Sequence, residues 1–221
     1  LGRALPLLAL VASGLAAVAA FSPGSPAPRV EAGLVVEVDP VTLDASLPAR
    51  ASVGSLHYRG GLSLRSADPR FGGLSDLRVS PDGARLLAVS DCGSGLTARL
   101  TYDQAGRLAG LADARHVDLA SAGSGTDEVD AESLVTTPDR LEVGFEGRGG
   151  RRAYAREPAF AGPVLPLTGP PGLGACGHNG GLETMTATAD GGRFLACEAR
   201  RGASDTVPAW VGRGETWTAR E

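Results

Sequence analysis

The 221-residue chain contains no lysine, and all 21 of its basic residues are arginine. Beside so much alanine and glycine this reads as a GC-rich coding bias, and it carries no functional weight. Histidine and cysteine are scarce, with three of each. No CxxC pair occurs, and the closest approach of the two residue types is Cys176 with His178. A zinc site is therefore not expected. Cys92, Cys176 and Cys197 permit one disulfide and leave one thiol free. Cationic surface is lacking too: the net charge of −4 would repel phosphate backbones, so no nucleic-acid partner is expected. No G-x-S-x-G elbow surrounds Ser75, which argues against a serine hydrolase. Outside the N-terminus no window holds a sustained 3.6-residue apolar period, so long helices are not expected.

What is abundant is glycine, 32 residues, with 15 prolines. Both mark tight turns and favour many short strands. The N-terminal stretch is different. Arg3 precedes an apolar run from Ala4 to Ala20 that closes on Ala17-Val18-Ala19. That pattern predicts a cleaved secretory signal over residues 1–20 and a periplasmic or secreted protein. The competing reading is an uncleaved anchor, for which 17 apolar residues is short against the ~20 of a membrane span. Ser- and Pro-rich residues 21–32 read as a linker. The folded domain is expected over 33–221, with no other stretch suited to a membrane.

Internal similarity is the strongest signal. Gly72–Asp91, Asp130–Glu146 and Asn179–Glu198 each hold a short apolar run, a turn and a second apolar run ending in an acid. Aligning Leu77, Leu134 and Met185 gives spacings of 57 and 51 residues, near the period of propeller blades. Each copy predicts a hairpin. Pro81-Asp82-Gly83 turns the first, Ala189-Asp190-Gly191-Gly192 the third, and Pro138-Asp139-Arg140, without glycine, the second. A further pair is predicted for Ala98–Tyr102 with Arg107–Leu111 across Asp103-Gln104-Ala105-Gly106. The expected fold is all-β and β-propeller-like, with a β-sandwich as the competing architecture. About three to four blades of ~50 residues fit the chain. It stops inside a strand-like segment at Glu221, so a C-terminal part is expected to be missing.

The alignment also superposes acids. Ser75, Glu132 and Glu183 begin the first strands, and Asp91, Glu146 and Glu198 end the second. In an antiparallel hairpin those ends are neighbours, opposite the turn. Blades around an axis would gather these carboxylates at one mouth. Two such charges ~4 Å apart repel by about 4 kcal/mol at an effective dielectric of 20, so a cation, a proton or an arginine must answer them. Glu132, Glu146 and Glu183 are the candidates for catalysis and metal binding, with Asp91 and Glu198 as further ligands. An all-oxygen set points to calcium or magnesium. The bland alternative is that the acids accept bonds from Gly-rich turns or pair with Arg148, Arg151 or Arg193. Asp127, Glu128 and Asp130 read as a solvated acidic loop that would at most add an outer ligand. Asn179-Gly180-Gly181 offers an amide and bare backbone to an anion and is equally natural as a plain turn; His178 could serve as an acid or base but reads as an inert loop histidine, and His57 and His116 read as structural.

Together, Phe71-Gly72-Gly73-Leu74-Ser75, Ser90-Asp91, Asp130-Ala131-Glu132-Ser133-Leu134, Gly144-Phe145-Glu146 and Asn179-Gly180-Gly181-Leu182-Glu183 resemble the bacterial family named for the esterase-like activity of phytase. The resemblance runs from about Leu34 to the C-terminus and implies an exported propeller related to phytases. The chain departs from the family pattern at Cys92, where an arginine is usual. It departs again after Glu146, where Gly147, Gly149 and Gly150 dilute the basic stretch to Arg148, Arg151 and Arg152. The sequence thus predicts a monomeric, calcium-dependent hydrolase of a small anionic phosphoester or related ester, with Arg148 or Arg151 clamping the phosphate. A non-catalytic exported propeller, with calcium only stiffening the fold, is the alternative.

Overall fold

The computed structural model describes residues 29–119, 130–146, 150–176, 181–198 and 206–220. The chain enters through β1 (Arg29–Ala32) and two small antiparallel pairs. These are β2 (Glu37–Val41) with β5 (Gly61–Arg65), and β3 (Ser52–Val53) with β4 (Leu56–His57). Three meanders follow. The first is β6 (Leu74–Val79), β7 (Arg85–Ser90), β8 (Ser94–Tyr102) and β9 (Leu108–Asp118). The second is β10 (Ala131–Thr136), β11 (Arg140–Phe145), β12 (Gly150–Ala155) and β13 (Leu165–Leu167). The third is β14 (Thr184–Ala187), β15 (Arg193–Ala196), β16 (Ala209–Arg213) and β17 (Thr216–Arg220). Among the described residues the only helix is a 3-10 turn at Leu173–Cys176, and no helix is long and apolar enough to cross a membrane.

The three repeats are the first hairpins of the three meanders. Leu77 faces Ala88, Leu134 faces Val143 and Met185 faces Leu195. Their turns close as the residues dictate. Gly83 takes a φ of 72° and donates to Ser80 O at 2.8 Å, while the Asp82 carboxylate accepts from Ala84 N. Gly191, at φ 85°, does the same toward Thr188. The second copy lacks glycine and makes a tighter turn: Thr137 N donates to Arg140 O, and Arg140 N donates to the Thr137 hydroxyl. The β8–β9 turn closes on Asp103, whose carboxylate accepts from the amides of Ala105 and Arg107.

One expectation about the N-terminal segments changes. The linker was expected to run to Ala32, but residues 29–32 form β1, which pairs with β9 from Arg29↔Asp118 to Ala32↔Arg115. The physical reason is that β9 would otherwise leave a long edge of unpaired backbone groups. Residues 1–28, which carry the signal-peptide reading, lie outside the described residues.

Each sheet packs on the next. Val89 and Val117 of the first sheet meet Leu141, Val143 and Phe145 of the second in one core. Val135 of the second meets Met185, Leu195 and Trp210 of the third in another, beside the Cys176–Cys197 disulfide. The first strands β6, β10 and β14 stand next to one another. Equivalent side chains bridge them. Asp76 accepts from Leu134 N at 2.8 Å, and the Ser133 hydroxyl donates to Leu182 O at 2.8 Å. These polar links fix the height of each sheet relative to the next.

Candidate carboxylate site

Opposite their turns, the three hairpins close in the same way. Asp91 N donates to Gly73 O, Glu146 N to Asp130 O and Glu198 N to Gly181 O. Just inside this bond the first two ladders slip by one residue, at Ser75 between Leu74 and Asp76 and at Glu132 between Ala131 and Ser133. Such a bulge leaves one residue out of the pairing and re-aims its side chain. Glu132 is that residue in the second hairpin, and its carboxylate is thereby brought beside Glu146.

Asp130, Glu132 and Glu146, each partly buried, offer carboxylate oxygens that all lie within 4.8 Å of one another. Glu183 and Glu198 of the third hairpin stand outside that group but act on it. Burial, a hydrogen bond with Asp130 and the charge of Glu183 push Glu132 up to about 7. The Ser75 hydroxyl, also in hydrogen-bonding reach, opposes part of this rise. The Asp130 hydrogen bond, then burial and the charges of Asp130, Glu183 and Glu198, push Glu146 up to about 7. Glu183 is raised as well, by burial and by Glu198 and Asp130. One Asp130 oxygen, Oδ1, is buried without a hydrogen-bond partner among the described residues. Gly181 is required here: a Cβ on it would lie 2.4 Å from the Glu146 Cα.

The structure therefore joins Glu132 with Glu146 and sets Glu183 and Glu198 at the margin. Asp91 is exposed, with its carboxylate packed on Gly73 and hydrogen-bonded to the Cys92 thiol. Cys92 is free and exposed, and Asp91 with burial and Asp130 raises its thiol above the usual range. Arg148, Asn179 and His178 lie outside the described residues. Arg151 corrects the expectation of a phosphate clamp. Its side chain is 5% exposed, bonds Glu142 Oε2 at 2.8 Å and carries Trp217 on its face.

Sequence reasoning underrated Asp130 and missed Glu142. Asp130 had one signal, its place two residues before Glu132. Glu142 is fully buried and binds Arg140, Arg151 and Arg193 at 2.8–2.9 Å. Burial pushes its carboxyl up, but the hydrogen bonds of Arg193 and Arg140 and the charges of Arg193 and Arg151 prevail and hold it at about 2. The alternation Leu141-Glu142-Val143 did place it on the face opposite the core.

A family model described as phytase-like, esterase-like activity of phytase, matches residues 69–220. The chain belongs to this family. That span of the phytase-like chain takes in all three hairpins and every carboxylate of the cluster. Membership places it among phytase-like hydrolases in general terms. No curated protein matches the chain.

Proposed function

We propose that this protein is an exported, monomeric hydrolase of small anionic phosphoesters or related esters, working through a calcium ion held by Asp130, Glu132 and Glu146. Glu183, Asp91 and Glu198 complete the acidic surround. The sheets would be consecutive blades of a propeller, with the cluster at one mouth of its channel. The observation that carries this reading is the convergence of three carboxylates from one hairpin and its leading residue within 4.8 Å. Calcium takes oxygen ligands at 2.3–2.6 Å, so two ligands of one ion stand no more than about 5 Å apart. The unpartnered Asp130 Oδ1 is the kind of oxygen that a cation satisfies.

When bound, the ion would supply charge neutralisation for an anionic ester and a water made more acidic. The chain's own contribution is ligation and orientation. Without the ion Glu132 and Glu146 are both raised to about 7; a bound cation would hold both as carboxylates, which accept the hydrogen bonds of its water. Asp130 orients both through its hydrogen bonds. Arg148, two residues beyond Glu146, and Asn179, four before Glu183, are proposed as contacts to the substrate anion.

The test is hydrolysis of phytate and of aryl phosphates and aryl esters, with calcium and with chelator. Activity should need calcium and fall by about a hundredfold in Glu132→Gln, which removes a charged ligand of the ion. Full activity in chelator, or in a folded Glu132→Gln protein, would sink the proposal.

A further inference from the structure

The turn ends of the hairpins carry a second feature, remote from the carboxylates. Between the first and second sheets lies a cavity of about 340 Å³, bordered by Ser80 and Pro81 of the first turn. Ser75, at the acidic end, is five residues away, about 16 Å of strand. The cavity floor is apolar, with Leu87, Val117 and Ala159. Its wall is basic: Arg78, Arg85, Arg99, Arg115 and Arg156 outnumber Asp113 and Glu157.

Four of these arginines are engaged. Arg85 meets Glu157 at 2.7 Å, Arg99 meets Asp113 at 2.9 Å and Arg78 meets Asp76 at 2.6 Å. Arg156 donates to the carbonyls of Thr137 and Pro138. Arg115 is different: it is exposed, and its side chain makes no hydrogen bond or ion pair among the described residues.

The next gap, between the second and third sheets, has an answer to its arginines. Leu87 and Glu142 occupy the same place in successive repeats. Leu87 faces Arg78 and Glu142 faces Val135, each one step past the aligned Leu77 and Leu134. Both side chains point toward the following sheet. Leu87 packs on the core shared with the second sheet, and Glu142 reaches Arg193 of the third. Glu142 is thus a built-in anion that gathers three arginines. In the first gap a leucine stands there, and the arginines outnumber the carboxylates.

We infer that the cavity between the first and second sheets binds a small amphipathic anion. Its apolar chain or ring lies over Leu87 and Val117. Its carboxylate or phosphate head lies on Arg115, the role that Glu142 performs internally in the next gap. The arginine excess selects the charge and the floor selects the body. The volume, at the small end for ligand pockets, limits its size.

Calorimetric titration of the full chain with octanoate, octyl phosphate and octanol tests this. Both anions should bind saturably at one site, and octanol should not. Tighter octyl phosphate or tighter octanoate names the head group; equal binding leaves an anion of either kind and supports the site as well. Arg115→Gln should weaken the anions about tenfold or more. Leu87→Glu, which copies the carboxylate of the neighbouring gap, should abolish binding; if it does not fold, Arg115→Glu is read in its place. The inference is overturned if octanol binds as tightly as octanoate, if neither anion binds, or if the Arg115 and Leu87 variants bind as the wild type does.

Discussion

Glu142 and Glu146 are four residues apart, about 13 Å of strand, and leave the same face of the same hairpin. Their fates are opposite. Glu142 has three arginines and is held at about 2. Among the described residues Glu146 meets only other carboxylates, and it is raised to about 7. Neither is isolated in solvent, so burial alone does not separate them. The partners do. An acid compensated within the fold ties sheets together, whereas an acid left among like charges is a site waiting for a proton or a cation.

The largest effect expected from breaking this contrast is at Glu142. Glu142→Leu would strand three arginines and cost about 3–5 kcal/mol of stability in chemical denaturation. Glu146→Gln, with chelator present, should be neutral or stabilising, because it removes repulsion. Equal losses from the two substitutions would erase the distinction.

A smaller effect is expected at Gly181. Gly181→Ala drives a methyl against the Glu146 backbone, and denaturation should show a loss of about 1–3 kcal/mol. Calcium binding should weaken with it, since the displaced residue is Glu146. Unchanged stability and calcium affinity would show that the close approach is dispensable.

The subtlest expectation concerns pH in cation-free protein. Glu132 and Glu146 have folded values near 7 against an ordinary 4.5, so the folded state holds more protons between those limits. Stability should therefore fall as pH rises from about 4.5 to 7. Glu142, lowered to about 2, acts the other way: its contribution is present above about 4.5 and is lost as pH falls toward 2. Melting temperatures across this range should pass through a maximum near pH 4.5. The upper limb should flatten in the Glu132→Gln, Glu146→Gln double variant. A limb that persists in that variant would have another origin.

The hairpins were legible because their information is local. Pro81-Asp82-Gly83 and Asp190-Gly191-Gly192 specify turns within a few residues, and the apolar runs around them specify strands. The pairing of Glu132 with Glu146 followed from the antiparallel register. What was hard to read lay outside the turn and the two strands of each hairpin. Arg193 lies 51 residues from Glu142, and no periodicity links them; Arg151, on the strand beside Glu142, looked free for substrate because Glu142 had not been recognised as its partner. Asp130 seemed to belong to the loop before it, although its carbonyl is the acceptor that closes the second hairpin. β1 was hidden for the same reason, because its partner β9 is some eighty residues further on.

The two bridges between sheets, Asp76 to Leu134 and Ser133 to Leu182, act as registration pins. Sliding one sheet along its neighbour by a single residue would move its acids by about 3.3 Å. That shift would change how Glu183 and Glu198 of the third hairpin act on Glu132 and Glu146. How closely the third hairpin's acids face the second's thus depends in part on Ser133, an uncharged residue outside the carboxylate cluster.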